Sequence, residues 1–473
     1  MNRIIFHVDV NSAFLSWSAV KRLQDDPQAV DLRTIPSAVG GDVETRHGII
    51  TAKSIPAKKY GIVTGEPVVK ALQKCPHLVL VSSDWEAYRS YSKAFMDILH
   101  EYSDMVQQAS VDEAYVDMTD AVKEAVHSAT PGTTSEIASY LNSDHQPHSD
   151  KNPESAQLRR QYGEDSCAAQ RQYIDGFGSA QQRQQCAQQL AASIRNEVRT
   201  RLGFTVNVGI SSNKLLAKMA SDFQKPDRTH TLLPEEVPAK MWPLPIGSLY
   251  GCGGKTASRL AGIGIVTIGD AAKADLTMLQ SFLGEKGGLY ISEAAKGHGS
   301  DQVAVTREAA QSYSNEMTTT EDVTMQNYES AALPLIRHLS EKVAGRLQRD
   351  GVYGATVTVS VKTNDFRRRS RQKKLDSSTN DAGIIRSSAE ELLHSLLYER
   401  NGIFDQGIGV RLIGVGVSSL DHGEYRQMDL MGFLQEQEIA RKAQQEKERQ
   451  SRLDEMLNKV NSRYGDGLLH RGV

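Results

Sequence analysis

The apolar positions of the chain change period several times, and each change marks an element. Residues 3–10, RIIFHVDV, form an apolar run broken by one acid near its end, which predicts a short buried strand. The following NSAFLSWSAVKRL has helical spacing, with Phe14, Leu15, Ser18 and Leu23 able to share faces. Strands are expected at 34–39 and 48–52, around Gly-Gly and His-Gly turns. A helix is expected over 84–102, with Phe95, Ile98 and Leu99 on one face, then strand, turn and strand over 106–118. Further on, helical spacing covers 190–202, FTVNVGI at 204–210 alternates like a strand, and NKLLAKMASDF at 213–223 reads as a helix.

Between these regular segments the pattern lapses. Residues 142–155 cluster Ser, Asn, Asp and Pro, and ten Gln fall between 157 and 189. Residues 121–188 are therefore expected to be an insertion, partly helical and partly mobile. A second unit covers about 235–300 and a third about 312–425. Residues 433–462, dense in Gln, Glu, Lys and Arg, read as an exposed helix with little core of its own.

Composition narrows the class. At roughly 150 residues per domain, 473 residues imply about three domains. With 39% hydrophobic and 24% charged residues most of the chain should fold, and a net charge of −3 can hide a local basic face. The four cysteines form no CxxC pair and have no His cluster beside them, which argues against zinc and a disulfide framework. The apolar run at the start is too short for a signal peptide, and no stretch is long enough to cross a bilayer. A soluble, cytoplasmic protein is expected.

Candidate chemistry lies in acids. Asp9 ends a strand, and Asp112 and Glu113 sit in the strand turn of SVDEAY. Neighbouring strands of one sheet would bring the three together, and like-charge repulsion would raise their pKa values. A hard divalent cation relieves that repulsion. Mg²⁺ takes oxygen ligands and is commonly held by one or two carboxylates with substrate phosphates, and a pair of such ions suits nucleotidyl transfer. Singly, each acid would more often be a turn or surface residue; the combination carries the signal.

VDVNSAF at 8–14, SVDEAYVDMTD at 110–120 and VGISSNKLLAKMASDFQKPD at 208–227 resemble the Y-family translesion DNA polymerases, the group that includes bacterial DNA polymerase IV and the ImpB/MucB/SamB-like proteins. IPAKKYG at 55–61 and LYGCGGKTASRLAGIGIVTIGD at 249–270 extend the resemblance. It implies an α/β multidomain fold, a right-hand polymerase with palm, small fingers, helix-hairpin-helix thumb and α+β little finger. The implied boundaries are palm at 1–20 and 76–234 with the insertion inside it, fingers at 21–75, thumb at 235–301, little finger at 312–425 and a tail at 426–473. The implied activity is low-fidelity, template-directed DNA synthesis past lesions, by a DNA-directed DNA polymerase that uses two Mg²⁺ ions and deoxynucleoside triphosphates on primer–template DNA. Asp9, Asp112 and Glu113 would be catalytic metal ligands, joined by the backbone carbonyl of Val10. Phe14 would be a steric gate against a 2′-hydroxyl, and Lys225 and Lys58 would bind the nucleotide. Two departures stand out. Ile55 and Lys58 replace a Tyr and an Arg common in the family, and a Lys cannot reproduce a bidentate guanidinium fork. Asn11 replaces an acid often present two residues after the first ligand.

In the thumb, Gly251, Gly253 and Lys255 belong to a loop-to-helix turn whose backbone N–H groups suit a DNA phosphate. In the third unit, a strand through Val357, Val359 and Val361 releases Lys362, Arg367, Arg368, Arg369, Arg371, Lys373 and Lys374, seven bases against Asp365. That cationic stripe is expected to bind DNA in a salt-sensitive way. Gln427, Leu430, Met431 and Phe433 resemble a sliding-clamp-binding peptide, so a clamp is an expected partner of an otherwise monomeric enzyme. Two rivals remain: a non-catalytic scaffold that binds DNA and clamp, and another metal-dependent nucleotidyl-transfer enzyme such as a nucleotide cyclase.

Overall fold

The structure, a computed structural model, describes residues 3–41, 48–128, 179–306, 308–399, 402–421 and Arg441. It falls into two units, Met1–Glu308 and Ala309–Val473. The first contains β1 (Ile5–Val10), β2 (Ser37–Gly40), β3 (Ile50–Lys53), β4 (Val79–Val81), β5 (Val106–Gln108), β6 (Glu113–Asp117), β7 (Val206–Ser211) and β8 (Thr229–Thr231). The main sheet runs β5-β6-β1-β7-β8, and a small sheet runs β3-β2-β4. The small sheet and its short helices close over Ile50, Ile62, Val68 and Leu78.

The central strand β1 is buried along its whole length, because both faces are covered. Phe6, Val8 and Val10 join a core with Trp17, Phe95, Leu99 and Val208. Ile5 lies in a second cluster, with Tyr115 and Ala217 from the helix Lys214–Ser221. The same alternation in β7 sends Val206, Val208 and Ile210 into the first core. Gly209, of opposite parity, lies under the backbone of that helix. A Cβ on it would stand 2.0 Å from the carbonyl oxygen of Ala217 and 2.5 Å from the amide nitrogen of Ser221. Gly209→Ala is therefore expected to destabilise the first unit by about 3 kcal/mol, measurable by denaturant unfolding.

The segment expected as an insertion is narrower than its composition suggests. Thr119–Ser128 is a helix that buries Val122 and Val126, and Ala180–Glu197 is a helix that buries Cys186, Ala187, Ala191 and Ile194. The second helix thus starts ten residues before the expected 190. Ser179 caps it, its hydroxyl accepting from the Gln182 amide while the Gln182 side chain accepts from the Ser179 amide. Its Gln residues occupy the outer face, which is why composition alone reads as disorder. Residues 129–178 lie outside the described residues.

The remaining part of this unit packs the helices Gly254–Ala261, Ile268–Lys273, Leu276–Leu283 and Glu285–Ala295 around Leu260, Ile268, Leu279 and Ile291. The second unit holds β9 (Ser312–Val323), β10 (Tyr353–Thr363), β11 (Arg368–Thr379) and β12 (Val410–Asp421) in the order β11-β10-β12-β9, with every pair antiparallel. Val357, Val359 and Val361 of β10 and Val415 and Val417 of β12 share a core with the helices Leu333–Arg349 and Ala382–Tyr398. Among the described residues no helix is long and apolar enough to cross a membrane.

Candidate active site and nucleic-acid interface

Strand register places the first two acids. Asp9 on β1 lies opposite Glu113 on β6, with Asn207 of β7 on its other side. Both carboxylates point toward the face covered by the helix Lys214–Ser221, and Lys218 descends from it between them. Its Nζ lies 3.2 Å from Asp9 Oδ2 and 2.6 Å from Glu113 Oε1. Lys225 reaches the other Asp9 oxygen at 2.9 Å and Asp222 at 2.8 Å. His7, wholly buried, bonds Ser221 Oγ through Nδ1 at 2.8 Å and holds Nε2 3.7 Å from Glu113 Oε2.

These contacts set the charges. Burial, reinforced by the facing Glu113 carboxyl, pushes Asp9 up to about 6 against the pull of Lys225 and Lys218. His7 and Lys218 outweigh burial at Glu113 and hold it below the usual carboxylate range. Burial disfavours the Lys218 ammonium, but Asp9, Glu113 and Asp222 more than offset this and keep it above the usual lysine range. Burial lowers His7, so its imidazole is neutral at pH 7.

The third acid, Asp112, is held by its own turn. Asp112 ties the turn to β1 through its carbonyl, which accepts from the Val10 amide at 3.0 Å, while its carboxylate accepts from Ser110 Oγ at 2.6 Å. Among the described residues no three His, Cys, Asp or Glu side chains converge as a metal cluster. Two ammonium groups supply the counter-charge instead. The pair Asp9–Glu113 still fits a hard divalent cation: it is an all-oxygen donor set, raised in pKa at Asp9, that faces the ammonium groups of Lys218 and Lys225 and the neutral His7.

Phe14 follows the site directly. Ser12, at φ +50, turns the chain from β1 into the helix Ala13–Asp25. The Phe14 ring stacks on Tyr88 at 4.9 Å and meets Trp85 and Trp17 edge-on at 5.4 and 5.9 Å. Ile55 and Lys58 are exposed on the short helix Ile55–Lys59. Sequence reasoning does not single out Lys53; burial and the nearby Lys58 charge lower its pKa, so two cations share this edge. Lys218 and Asn207 escape it as well. Their signal is a lone Lys in an apolar helical run and a lone Asn in an apolar strand.

The thumb loop is built for close approach. Gly251 has φ +82, and a Cβ there would meet the Tyr290 ring, whose hydroxyl donates to the Tyr250 carbonyl at 2.8 Å. A Cβ on Gly253 or Gly254 would meet nothing within 4 Å, and Lys255 is exposed at the start of the helix Gly254–Ala261.

The basic run of the second unit is a strand rather than a released stretch, and alternation divides it. Arg369, Arg371 and Lys373 lie in register with Val361, Val359 and Val357 on the helix-bearing face. There Arg371 pairs with Glu399 at 2.5 Å, Lys373 with Glu391 at 2.6 Å, and Arg369 donates to Gln406. Lys362, Arg368 and Lys374 share the open face with Thr356, Thr358 and Ser360. Arg368 is itself paired with Glu316, and Arg367 with Asp365 in the turn. The expected single cationic stripe is thus two faces, one of them largely neutralised. Gln427, Leu430, Met431 and Phe433 lie outside the described residues.

Residues 8–222 match the impB/mucB/samB family, 234–265 the family's HHH motif and 310–430 its C-terminal domain. The chain is 32% identical to DNA polymerase IV of Clostridium acetobutylicum, over 100% of this chain and 98% of that protein. It is 29% identical to DNA polymerase IV 1 of Bacillus subtilis, over 100% of this chain and 93% of the relative. Among solved structures it is similar to a Y-family DNA polymerase chimera, with a TM-score of 0.65, 22% identity and coverage of 88% of this chain and 98% of that one. Matches to three consecutive family models and to relatives along the whole chain establish that the chain belongs to the impB/mucB/samB family.

Proposed function

We propose that the chain is a DNA-directed DNA polymerase of low fidelity that copies damaged templates by nucleotidyl transfer from deoxynucleoside triphosphates to a primer 3′-hydroxyl. The observation that supports this reading most is the facing of Asp9 and Glu113 across β1 and β6, an oxygen donor set held by ammonium groups. Asp9 and Glu113, joined by Asp112 and the Val10 carbonyl, would hold two Mg²⁺ ions. Bound there, the ions would supply activation of the primer hydroxyl and neutralisation of the triphosphate. Lys225 exchanges its bond to Asp9 for one to the triphosphate, adding a point charge where negative charge develops. Phe14, fixed by Tyr88 and Trp85, excludes a 2′-hydroxyl. Lys58 contributes charge from the fingers edge.

The DNA partner is met by the Gly251–Cys252–Gly253–Gly254 turn with Lys255, and by the open face of the little finger through Lys362, Arg367 and Arg368. Arg369 and Arg371 contribute at the edge of that sheet. The sliding clamp is taken by Gln427, Leu430, Met431 and Phe433, and the enzyme acts as a cytoplasmic monomer. Template direction is tested by single-nucleotide incorporation opposite each of the four template bases. The preferred deoxynucleotide is expected to follow the complement in all four, whereas a product independent of the template base would overturn the reading.

A further inference from the structure

We infer that Asn11 and Asn207 are positioning residues that clamp the segment 221–228 and thereby fix Lys225 against the catalytic carboxylate; the inference rests on the reading of Lys225 as a nucleotide-binding residue. Asn11 follows β1 and is 8% exposed, and Asn207, opposite Asp9 on β7, is fully buried. The Asn11 amide nitrogen donates to Asn207 Oδ1 at 3.1 Å. Asn11 Oδ1 accepts from the Asp227 backbone amide and from Thr205 Oγ1, both at 2.9 Å. Asn207 Nδ2 donates to the carbonyls of Ser221 at 3.0 Å and Gln224 at 2.7 Å, and its Oδ1 accepts from the Arg228 amide at 3.2 Å.

Two side-chain amides thus satisfy backbone groups at 221, 224, 227 and 228, on both sides of Lys225. The donor count explains why an amide stands at position 11 of this chain. A carboxylate in place of the Asn11 amide could still accept from Asp227 and Thr205, but it would present lone pairs to Asn207 Oδ1. Rotating the Asn207 amide to answer it would turn Oδ1 onto the Ser221 and Gln224 carbonyls. Either arrangement leaves buried oxygens facing each other, so the loop that carries Lys225 must shift.

The test measures single-nucleotide incorporation by the full chain for Asn11→Asp, Lys225→Ala and the double variant, with primer–template affinity measured separately. Asn11→Asp is expected to raise KM for the incoming nucleotide about tenfold while changing DNA affinity less than about twofold. In the Lys225→Ala background the same substitution should add less than about a factor of two, because its effect passes through Lys225. Hydrogen exchange should show faster exchange of the Asp227 and Arg228 amides in Asn11→Asp, with β1 unchanged. Asn207→Asp, which keeps the bond to Asn11 but loses both carbonyl contacts, should give the same KM rise if Asn11→Asp does not fold. An unchanged KM, or a full tenfold effect persisting without Lys225, overturns the inference. Lys225→Ala alone reports on the underlying reading: an unchanged KM there removes the role of Lys225 itself.

Discussion

Glu113→Gln is expected to lower kcat for nucleotide incorporation at least about 10³-fold while leaving the Kd for primer–template DNA within about twofold. The substitution keeps the shape of the side chain and an oxygen that can accept from Lys218 Nζ, which now lies 2.6 Å from Oε1. It removes the negative charge that faces Asp9 across the strand pair. If the carboxylate pair holds the divalent ions, charge is what the site needs and hydrogen bonding cannot replace it. In the proposed function DNA affinity is assigned to the thumb turn and the basic strand of the second unit, not to Glu113. Pre-steady-state incorporation with saturating nucleotide separates the two quantities. A variant that retains more than a tenth of the wild-type rate would place the metal-binding acids elsewhere.

The second large effect concerns the sugar. Phe14→Val is expected to reduce discrimination against ribonucleotides by about 10²-fold, measured as the ratio of kcat/KM for a deoxynucleotide and its ribonucleotide. A pocket that only fits a sugar loosely rejects an added hydroxyl poorly, so strong exclusion needs a ring that cannot yield. Phe14 meets that condition: it is stacked on Tyr88 and braced edge-on by Trp17 and Trp85. Val shortens the side chain and leaves those three rings in place. Unchanged discrimination would mean that the Phe14 ring serves the hydrophobic core alone.

The parts legible in the sequence are those where one local pattern decides the outcome. The buried run of β1, the alternation of β7 and the turn between β5 and β6 each announce a strand, and register then sets Asp9 opposite Glu113. Patterns that depend on a partner element are less legible. Lys218 looks like one polar residue in an amphipathic helix, yet the whole stretch from Leu215 to Ser221 is buried, so its ammonium must find acids inside. The Gln-rich start of the helix Ala180–Glu197 hides its buried stripe of Cys186, Ala187, Ala191 and Ile194. In β11 a count of bases ignores the period of two, which separates Arg369, Arg371 and Lys373 from Arg368 and Lys374. The bond from the Ser110 hydroxyl to the Asp112 carboxylate likewise has no signal in the sequence beyond the adjacency of the two residues.

Polymerase activity is best measured by primer extension on undamaged and abasic templates with Mg²⁺ and all four deoxynucleotides, wild type beside Asp112→Ala. Distributive synthesis by the wild type, including past the abasic site, is expected, and none by the variant. No synthesis by the wild type, with primer–template binding intact and a clamp supplied, would contradict the proposed function and favour a DNA-binding scaffold.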